Sequence, residues 1–298
     1  MELIKVVPRG YCKGVVRAIN IAKETAKNNP DKNIYILGML VHNKYVIEAL
    51  KEFNIITIDD KNKSREELLD QIEDGIVIFT AHGIHPFVKK KAEEKGLTCI
   101  DASCLDVLKT QSIVNDYLKN GYEVLYIGKN KHPEASAVCD HNEHVHLIEK
   151  ASDIDVLDTY EKVFVTNQTT MSYHDVKHLF TLIENKFENV IISDEICNAT
   201  RSRQEAISKL ENIDALIVVG DKASNNANRL AQIAKEKGIE NVYLIDDVND
   251  LNVEEIVKYP RVAVTAGAST PTYLINQVIY CLENNITTKQ IIEKDKIL

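Results

Sequence analysis

Short hydrophobic runs recur along the chain, each closing on a glycine or a small polar loop and each followed by apolar positions at helical spacing. Three runs end in glycine: Ile34-Tyr35-Ile36-Leu37-Gly38, Val124-Leu125-Tyr126-Ile127-Gly128 and Leu216-Ile217-Val218-Val219-Gly220. Three more end in threonine before a small polar loop: Val77-Ile78-Phe79-Thr80, Val163-Phe164-Val165-Thr166 and Val262-Ala263-Val264-Thr265. Between them, amphipathic spacing predicts helices over Asn43 to Glu52, Pro86 to Lys95, Val107 to Leu118, Tyr173 to Asn185 and Asn226 to Lys237. Strands alternating with helices in this way indicate an α/β protein with mainly parallel sheets.

The pattern repeats at a longer period. Cys12, Cys104 and Cys197 each stand where an apolar run breaks and a helical segment begins, 92 and 93 residues apart. From cysteine to the glycine that ends the next run is 26, 24 and 23 residues. Four residues past those glycines come His42, His132 and Ser224, and after the threonine-ended runs stand His82, Thr169 and Ser269. A repeat this regular predicts three similar α/β domains arranged about a pseudo-threefold axis, with one cysteine from each converging on it. The expected boundaries are 1–98, 99–192 and 193–283, with 284–298 as a charged, solvated tail. In parallel sheets ligands bind beyond the carboxyl ends of the strands, where the cysteines and polar loops lie.

Composition narrows the setting. With 298 residues and 44% apolar content the chain can fill two or three cores without disulfides. Six cysteines without the dense spacing of a secreted scaffold suggest a reducing compartment. A net charge of −9 argues against a nucleic-acid partner. No leader pattern and no uninterrupted apolar run of membrane length is present, so a soluble cytoplasmic protein is expected. Cys99, Cys139 and Cys281 share no station in the repeat and read as packing residues. His141, His144 and His146, within Asp140 to His146, read as an exposed loop rather than a metal tract.

Thiolates select zinc, copper(I) or iron–sulfur clusters. The chain has no Cys-x-x-Cys pair, and a [4Fe-4S] cluster usually takes four cysteines, so three would leave one iron open. A closed structural zinc site and ordinary buried cysteines remain alternatives at this point. Around the predicted centre the repeats present His42, His82, His132, Glu134, Thr169, Ser224, Asn226 and Ser269. Histidines, hydroxyls and amides at strand ends and helix starts suit a phosphate or diphosphate. Glu134 is the carboxylate beside that ring, and a closed pocket near an anion would raise its pKa toward a proton donor's range.

Several segments together are similar to one known family: Pro8-Arg9-Gly10-Tyr11-Cys12-Lys13-Gly14-Val15, Val41-His42-Asn43, Ala81-His82-Gly83, His132-Pro133-Glu134, Asn167-Gln168-Thr169-Thr170, Gln204-Glu205-Ala206 and Thr265-Ala266-Gly267-Ala268-Ser269. They resemble the 4-hydroxy-3-methylbut-2-enyl diphosphate reductases, the IspH/LytB family of oxidoreductases that ends the non-mevalonate isoprenoid pathway. The resemblance runs in order from residue 1 to about 283. It implies a [4Fe-4S] cluster on Cys12, Cys104 and Cys197, an allylic diphosphate held by His42, His82, His132, Ser224, Asn225, Asn226 and Ser269, positioning by Thr169 and protons from Glu134. It also implies ferredoxin or flavodoxin as electron donor. Three positions depart from the family: Ser103 and Leu105 flank Cys104 where threonine and proline are usual, and Asn225 stands where serine is common. The competing function is another three-cysteine [4Fe-4S] enzyme, such as a quinolinate synthase-like dehydratase.

Overall fold

A computed structural model describes residues 1–298. The strands are β1 (Glu2–Lys5), β2 (Ile34–Leu37), β3 (Ile55–Ile58), β4 (Ile76–Phe79), β5 (Thr98–Asp101), β6 (Glu123–Ile127), β7 (Val145–Ile148), β8 (Val163–Asn167), β9 (Val190–Ile192), β10 (Ala215–Val219), β11 (Asn241–Ile245) and β12 (Arg261–Ala266). The helices are α1 (Lys13–Asn28), α2 (Lys44–Leu50), α3 (Arg65–Leu69), α4 (Pro86–Glu94), α5 (Leu105–Lys119), α6 (Pro133–Cys139), α7 (Ala151–Asp155), α8 (Tyr173–Lys186), α9 (Asn198–Ser208), α10 (Asn225–Glu236), α11 (Val253–Ile256) and α12 (Thr272–Glu283). The chain divides into two compact units, one of Met1–Ile19, Val41–Phe53 and Asn198–Leu298, the other of Asn20–Leu40 and Asn54–Cys197.

The strands form three four-stranded sheets, ordered β3-β2-β4-β5 and β7-β6-β8-β9 in the second unit and β11-β10-β12-β1 in the first. Every pairing is parallel. The predicted α/β class, with three similar parallel-sheet modules, is therefore observed. Two sheets read second, first, third, fourth in their own chain order, and the third has the same arrangement with β1, from the start of the chain, in the place of the fourth strand. In that order the strand sequence reverses between the first and third strands, and crevices open at such a reversal. The glycine-ended strands β2, β6 and β10 lie on one side of the reversal and the threonine runs β4, β8 and β12 on the other.

Burial follows position. Strands β4, β8 and β10 are buried at every residue, as strands covered by helices on both faces must be. β1, β5 and β9, each of which precedes a cysteine, are partly exposed edges. On one face of the second unit Leu125, Ile127, Val163 and Val165 pack against Val176, Leu179, Phe180 and Ile183 of α8. In the first, Leu216, Val218 and Ala263 meet Ile207 of α9 and Ala227, Leu230 and Ala234 of α10. The N–H groups of Gly38, Gly128 and Gly220 donate to Ile58, Ile148 and Ile245 at 2.7, 3.1 and 2.8 Å, so the three modules turn off their first strands in the same way.

Helix boundaries moved where caps decided them. The segment predicted from Val107 starts at Leu105 because Cys104 takes the N-cap. The segment predicted to Glu52 ends as an α-helix at Leu50 and continues as a 3₁₀ turn over Lys51–Phe53. The loop expected over Asp140 to His146 stops earlier, since Val145 and His146 belong to β7. The larger correction concerns the tail. Its charged groups are exposed, but it is not a free solvated extension: Ile297 is 2% exposed, its carbonyl accepts the Tyr11 hydroxyl at 2.8 Å, and Gln290 exchanges hydrogen bonds with Asn249 at 2.7 and 3.1 Å. Burying an isoleucine contributes about 2 kcal/mol, enough to hold a segment whose surface charges favour water.

Gly75 tests the close packing of β2 and β4. It has φ +109°, and a Cβ there would lie 2.5 Å from the Asn33 carbonyl oxygen. That oxygen is fixed by the Ile76 N–H at 2.9 Å. Gly121 shares a positive φ of +75° but would meet nothing within 4 Å. We expect Gly75→Ala to lower unfolding free energy by about 3 kcal/mol and Gly121→Ala by only about 1 kcal/mol, read by urea titration. Equal losses would contradict the backbone clash.

Candidate functional site

The three cysteines occupy the same backbone station. Each follows an edge strand, and each N–H donates to a carbonyl in the loop beyond the neighbouring strand: Cys12 to Ala268 at 2.9 Å, Cys104 to Ala81 at 3.0 Å and Cys197 to Thr169 at 3.1 Å. Each then begins a helix. The carbonyls of Cys12 and Cys104 accept the first helical bonds, from Val16 and Leu108, both at 3.0 Å. Cys104 is the N-cap of α5 but its side chain makes no capping bond, and its Sγ lies 3.9 Å from the Asp106 carboxylate. All three are half-buried and none is in a disulfide. This register refines the expected match of His82, Thr169 and Ser269: Thr169 aligns with Ala81 and Ala268, and His82 and Ser269 align with Thr170.

The second unit joins six of the expected residues in one chain of contacts. His132 caps α6, its Nδ1 accepting the Glu134 N–H at 3.2 Å. A neutral imidazole that accepts at Nδ1 carries its proton on Nε2 and presents a donor there. The rings of His82 and His132 meet edge to face, 5.6 Å apart. Glu134 is 2% exposed, and its two oxygens accept the Thr169 N–H at 2.7 Å and hydroxyl at 3.1 Å. Thr169 in turn holds Cys197 through its carbonyl, while Ala81, next to His82, holds Cys104.

Burial decides the charge state of Glu134. Removal from water raises its pKa, the two Thr169 bonds lower it, and Asp106 raises it again; burial dominates and the carboxyl is pushed up to about 7. It therefore exists as a mixture of acid and carboxylate near neutrality. The neighbouring Asn167 and Gln168 serve the loops: Asn167 accepts the Glu195 N–H at 3.1 Å and Gln168 accepts the Lys129 N–H at 3.0 Å.

In the first unit Ala268 links two further expected residues. Its carbonyl holds Cys12, and its N–H donates to the Asn226 side-chain oxygen at 3.0 Å. The Asn226 amide nitrogen donates to Thr200 Oγ1 at 3.4 Å. Thr200, 1% exposed in the first turn of α9, is a contact that sequence reasoning missed, since nothing in its local pattern separates it from a packing threonine. Ser224 caps α10 by accepting the Ala227 N–H at 3.3 Å, which leaves its own proton to donate. Ser269 donates to the His42 carbonyl at 3.0 Å. The cap of α2 is Asn43 rather than His42, so His42 stands one position before its counterparts His132 and Ser224. Asn225 is the first residue of α10 and half-buried.

Other candidates serve packing or surface pairing. Cys281 is buried, and burial pushes the Cys139 thiol up to about 12, which keeps it protonated. His144 and His146 each bind one oxygen of Glu123 at 2.8 Å, and His141 pairs with Glu66 and stacks on Phe87 at 4.8 Å. No three His, Cys, Asp or Glu side chains are grouped around a position for a single metal ion. Cluster cysteines each hold a different iron, so they do not crowd as the ligands of one ion do.

Comparison with known proteins agrees with the motifs. The family model for LytB protein matches residues 3–283. A 4-hydroxy-3-methylbut-2-enyl diphosphate reductase of Anoxybacillus flavithermus is 50% identical over 287 residues, covering 95% of this chain and 90% of the relative. A Bacillus cytotoxicus protein of the same name is 51% identical over 288 residues, with the same coverage of 95% and 90%. Among solved structures, the E-1-hydroxy-2-methyl-but-2-enyl-4-diphosphate reductase of Plasmodium falciparum superposes with TM-score 0.86 at 30% identity, covering 99% of this chain and 96% of that one. A second, the (E)-4-hydroxy-3-methyl-but-2-enyl diphosphate reductase described as the terminal enzyme of the non-mevalonate pathway, gives 0.66 at 31% identity over 95% and 100% of the two chains. With the match running from β1 through α12 and half of all residues shared with such relatives, the chain belongs to the LytB protein family.

Proposed function

We propose that this chain is a 4-hydroxy-3-methylbut-2-enyl diphosphate reductase, converting (E)-4-hydroxy-3-methylbut-2-enyl diphosphate and two electrons and two protons into water and isopentenyl or dimethylallyl diphosphate. Family membership supports the reaction class. The geometric observation that carries the reading is Glu134, a buried carboxyl poised near neutrality and bonded through both oxygens to Thr169, beside His82 and His132. The names of the relatives favour a reductase over a dehydratase of the quinolinate synthase type.

The donor set fits an iron–sulfur cluster with one open iron: three thiols outside any disulfide, at equivalent helix starts, with their main chains fixed by the same hydrogen bond. Cys12, Cys104 and Cys197 would hold it. When bound, the [4Fe-4S] cluster would supply the electrons, received from ferredoxin or flavodoxin, and a Lewis-acidic position for the substrate alcohol. Six free cysteines suit a reducing cytoplasm. No helix is long and apolar enough to cross a membrane.

The remaining chemistry belongs to side chains. His132, carrying its proton on Nε2, and His82 beside it donate to diphosphate oxygens, together with His42 and Ser224. Asn226, with one amide proton on Thr200, donates its second. Ser269 must turn its hydroxyl from the His42 carbonyl to reach the anion, so substrate reorders that contact. With Glu134 protonated, the bond to Thr169 reverses so that the carboxyl donates to Thr169 Oγ1 and the Thr169 proton turns toward the departing hydroxyl; with the two electrons supplied, the allylic carbon–oxygen bond breaks and water leaves. A second proton then completes the new carbon–hydrogen bond.

Three outcomes follow. Reduced viologen should be oxidised by the anaerobic enzyme only when the hydroxy diphosphate is present, with isopentenyl and dimethylallyl diphosphates as products; dehydration without viologen consumption would instead favour the dehydratase. Glu134→Gln should keep its iron and lose turnover by on the order of 100-fold, a general acid's share. Because the protonated acid is the working form, wild-type kcat should fall as pH rises through about 7, and the variant's residual rate should lack that fall. Cys104→Ser should lose iron and visible absorbance; unchanged iron content would exclude it as a ligand.

A further inference from the structure

We propose that the C-terminal segment Gln290–Leu298 is a strap that, through Ile297 and Tyr11, holds the Cys12 loop in the conformation that ligation requires. The role assigned to Cys12 rests on the function proposed above; the mechanical role of the strap does not. Tyr11 directly precedes Cys12, and its hydroxyl donates at 2.8 Å to the carbonyl of Ile297, whose side chain is 2% exposed. The strap lies beyond the 3–283 span matched by the family model.

The rest of the segment is fastened along its length. Tyr273 Oη and Gln277 Nε2, both on α12, donate to the Ile291 carbonyl at 3.2 and 2.9 Å. Gln290 and Asn249 exchange main-chain and amide bonds at 2.7 and 3.1 Å. Lys294 reaches Glu52 at 3.7 Å and Glu48 at 4.0 Å on the turns that follow His42. These ion pairs are half-exposed, and pairs of that kind contribute little. The buried isoleucine and the phenol bond are therefore the anchor.

The Cys12 loop has other fixings, but they act on its main chain. Val6 N–H bonds the Val264 carbonyl at 3.0 Å, Arg203 Nη2 donates to the Gly10 carbonyl at 2.6 Å, and Cys12 N–H bonds Ala268. Tyr11 is the side chain through which the loop is tied to Ile297. Losing one neutral hydrogen bond of ordinary strength shifts an opening equilibrium roughly fivefold. Release of the strap should therefore loosen the residue next to Cys12 while leaving the sheet intact.

The test uses the full chain. Tyr11→Phe removes only the hydroxyl, and a chain ending at Lys296 removes Ile297 and Leu298. In chelator-treated, iron-free protein, iodoacetamide labelling is followed by mass spectrometry at Cys12, with half-buried Cys139 as internal reference. Tyr11→Phe should label Cys12 roughly fivefold faster and the shortened chain, which also loses the buried Ile297, at least as much faster, with Cys139 unchanged in both; in the iron-loaded protein both should lose iron faster in air. Lys294→Gln should do neither. Wild-type labelling of Cys12 in both variants, or faster labelling of Cys12 and Cys139 alike, would overturn the proposal. If wild-type protein binds no iron, the functional reading fails, and the labelling comparison still decides whether the strap exists.

Discussion

In a parallel sheet the C-terminal ends of the strands leave their last carbonyls and the following loops with no further strand to pair, and something must hold those loops still. Here the residue that does so in each module is the cysteine. Its N–H reaches back to a carbonyl beyond the adjacent threonine strand, at Ala268, Ala81 or Thr169. That single bond sets the start of a helix, fixes the direction of the thiol-bearing residue and pins the loop that carries His82, Thr169 or Ser269. The strand before the cysteine lies at a sheet edge, so the thiol emerges half-buried rather than within the core. Strand order does the rest, because the reversal between first and third strands brings the glycine loop and the threonine loop of a module together.

On that frame the electrostatics of Glu134 result from a competition whose winner is set by depth. Two hydrogen bonds from Thr169 favour the carboxylate, yet near-complete removal from water outweighs them, with Asp106 adding to the same side. A carboxyl at the surface with the same two bonds would be fully ionised at neutral pH and of no use as an acid. The bonds to Thr169 decide orientation instead: they aim both oxygens at a residue whose carbonyl also holds Cys197. The buried carboxyl of Glu134 and the main chain of Cys197 are thus both bonded to one loop residue, Thr169.

The first unit reaches comparable order by other means. Ala268 contributes no functional side chain, but its two main-chain groups connect Cys12 to Asn226, and through Asn226 to Thr200. Side chains expected to bind an anion are already occupied in part: Asn226 has one amide proton on Thr200, and Ser269 donates to His42. Such contacts preserve the polar groups from burial without partners before a ligand arrives. Residues 290–298 meet the Cys12 loop at Tyr11, whose hydroxyl donates to the carbonyl of the buried Ile297.

The repeating runs, the three cysteines at one station, the parallel α/β class and the placing of Glu134 beside His132 were all legible along the chain, because each depends on periodicity or on neighbours close in sequence. What distant segments do together was not. β1 belongs to the last sheet through its pairing with β12, which no local signal announces. Thr169 aligns with Ala81 and Ala268 because a cysteine some way downstream or upstream selects that carbonyl, and Asn43 displaces His42 as cap because its side chain fits the helix start. Thr200 and Tyr11 look ordinary in their own segments. Only when α10 and residues 290–298 are folded against them do a threonine and a tyrosine gain buried partners, in Asn226 and Ile297, since desolvation is a property of the packed molecule and not of a sequence window.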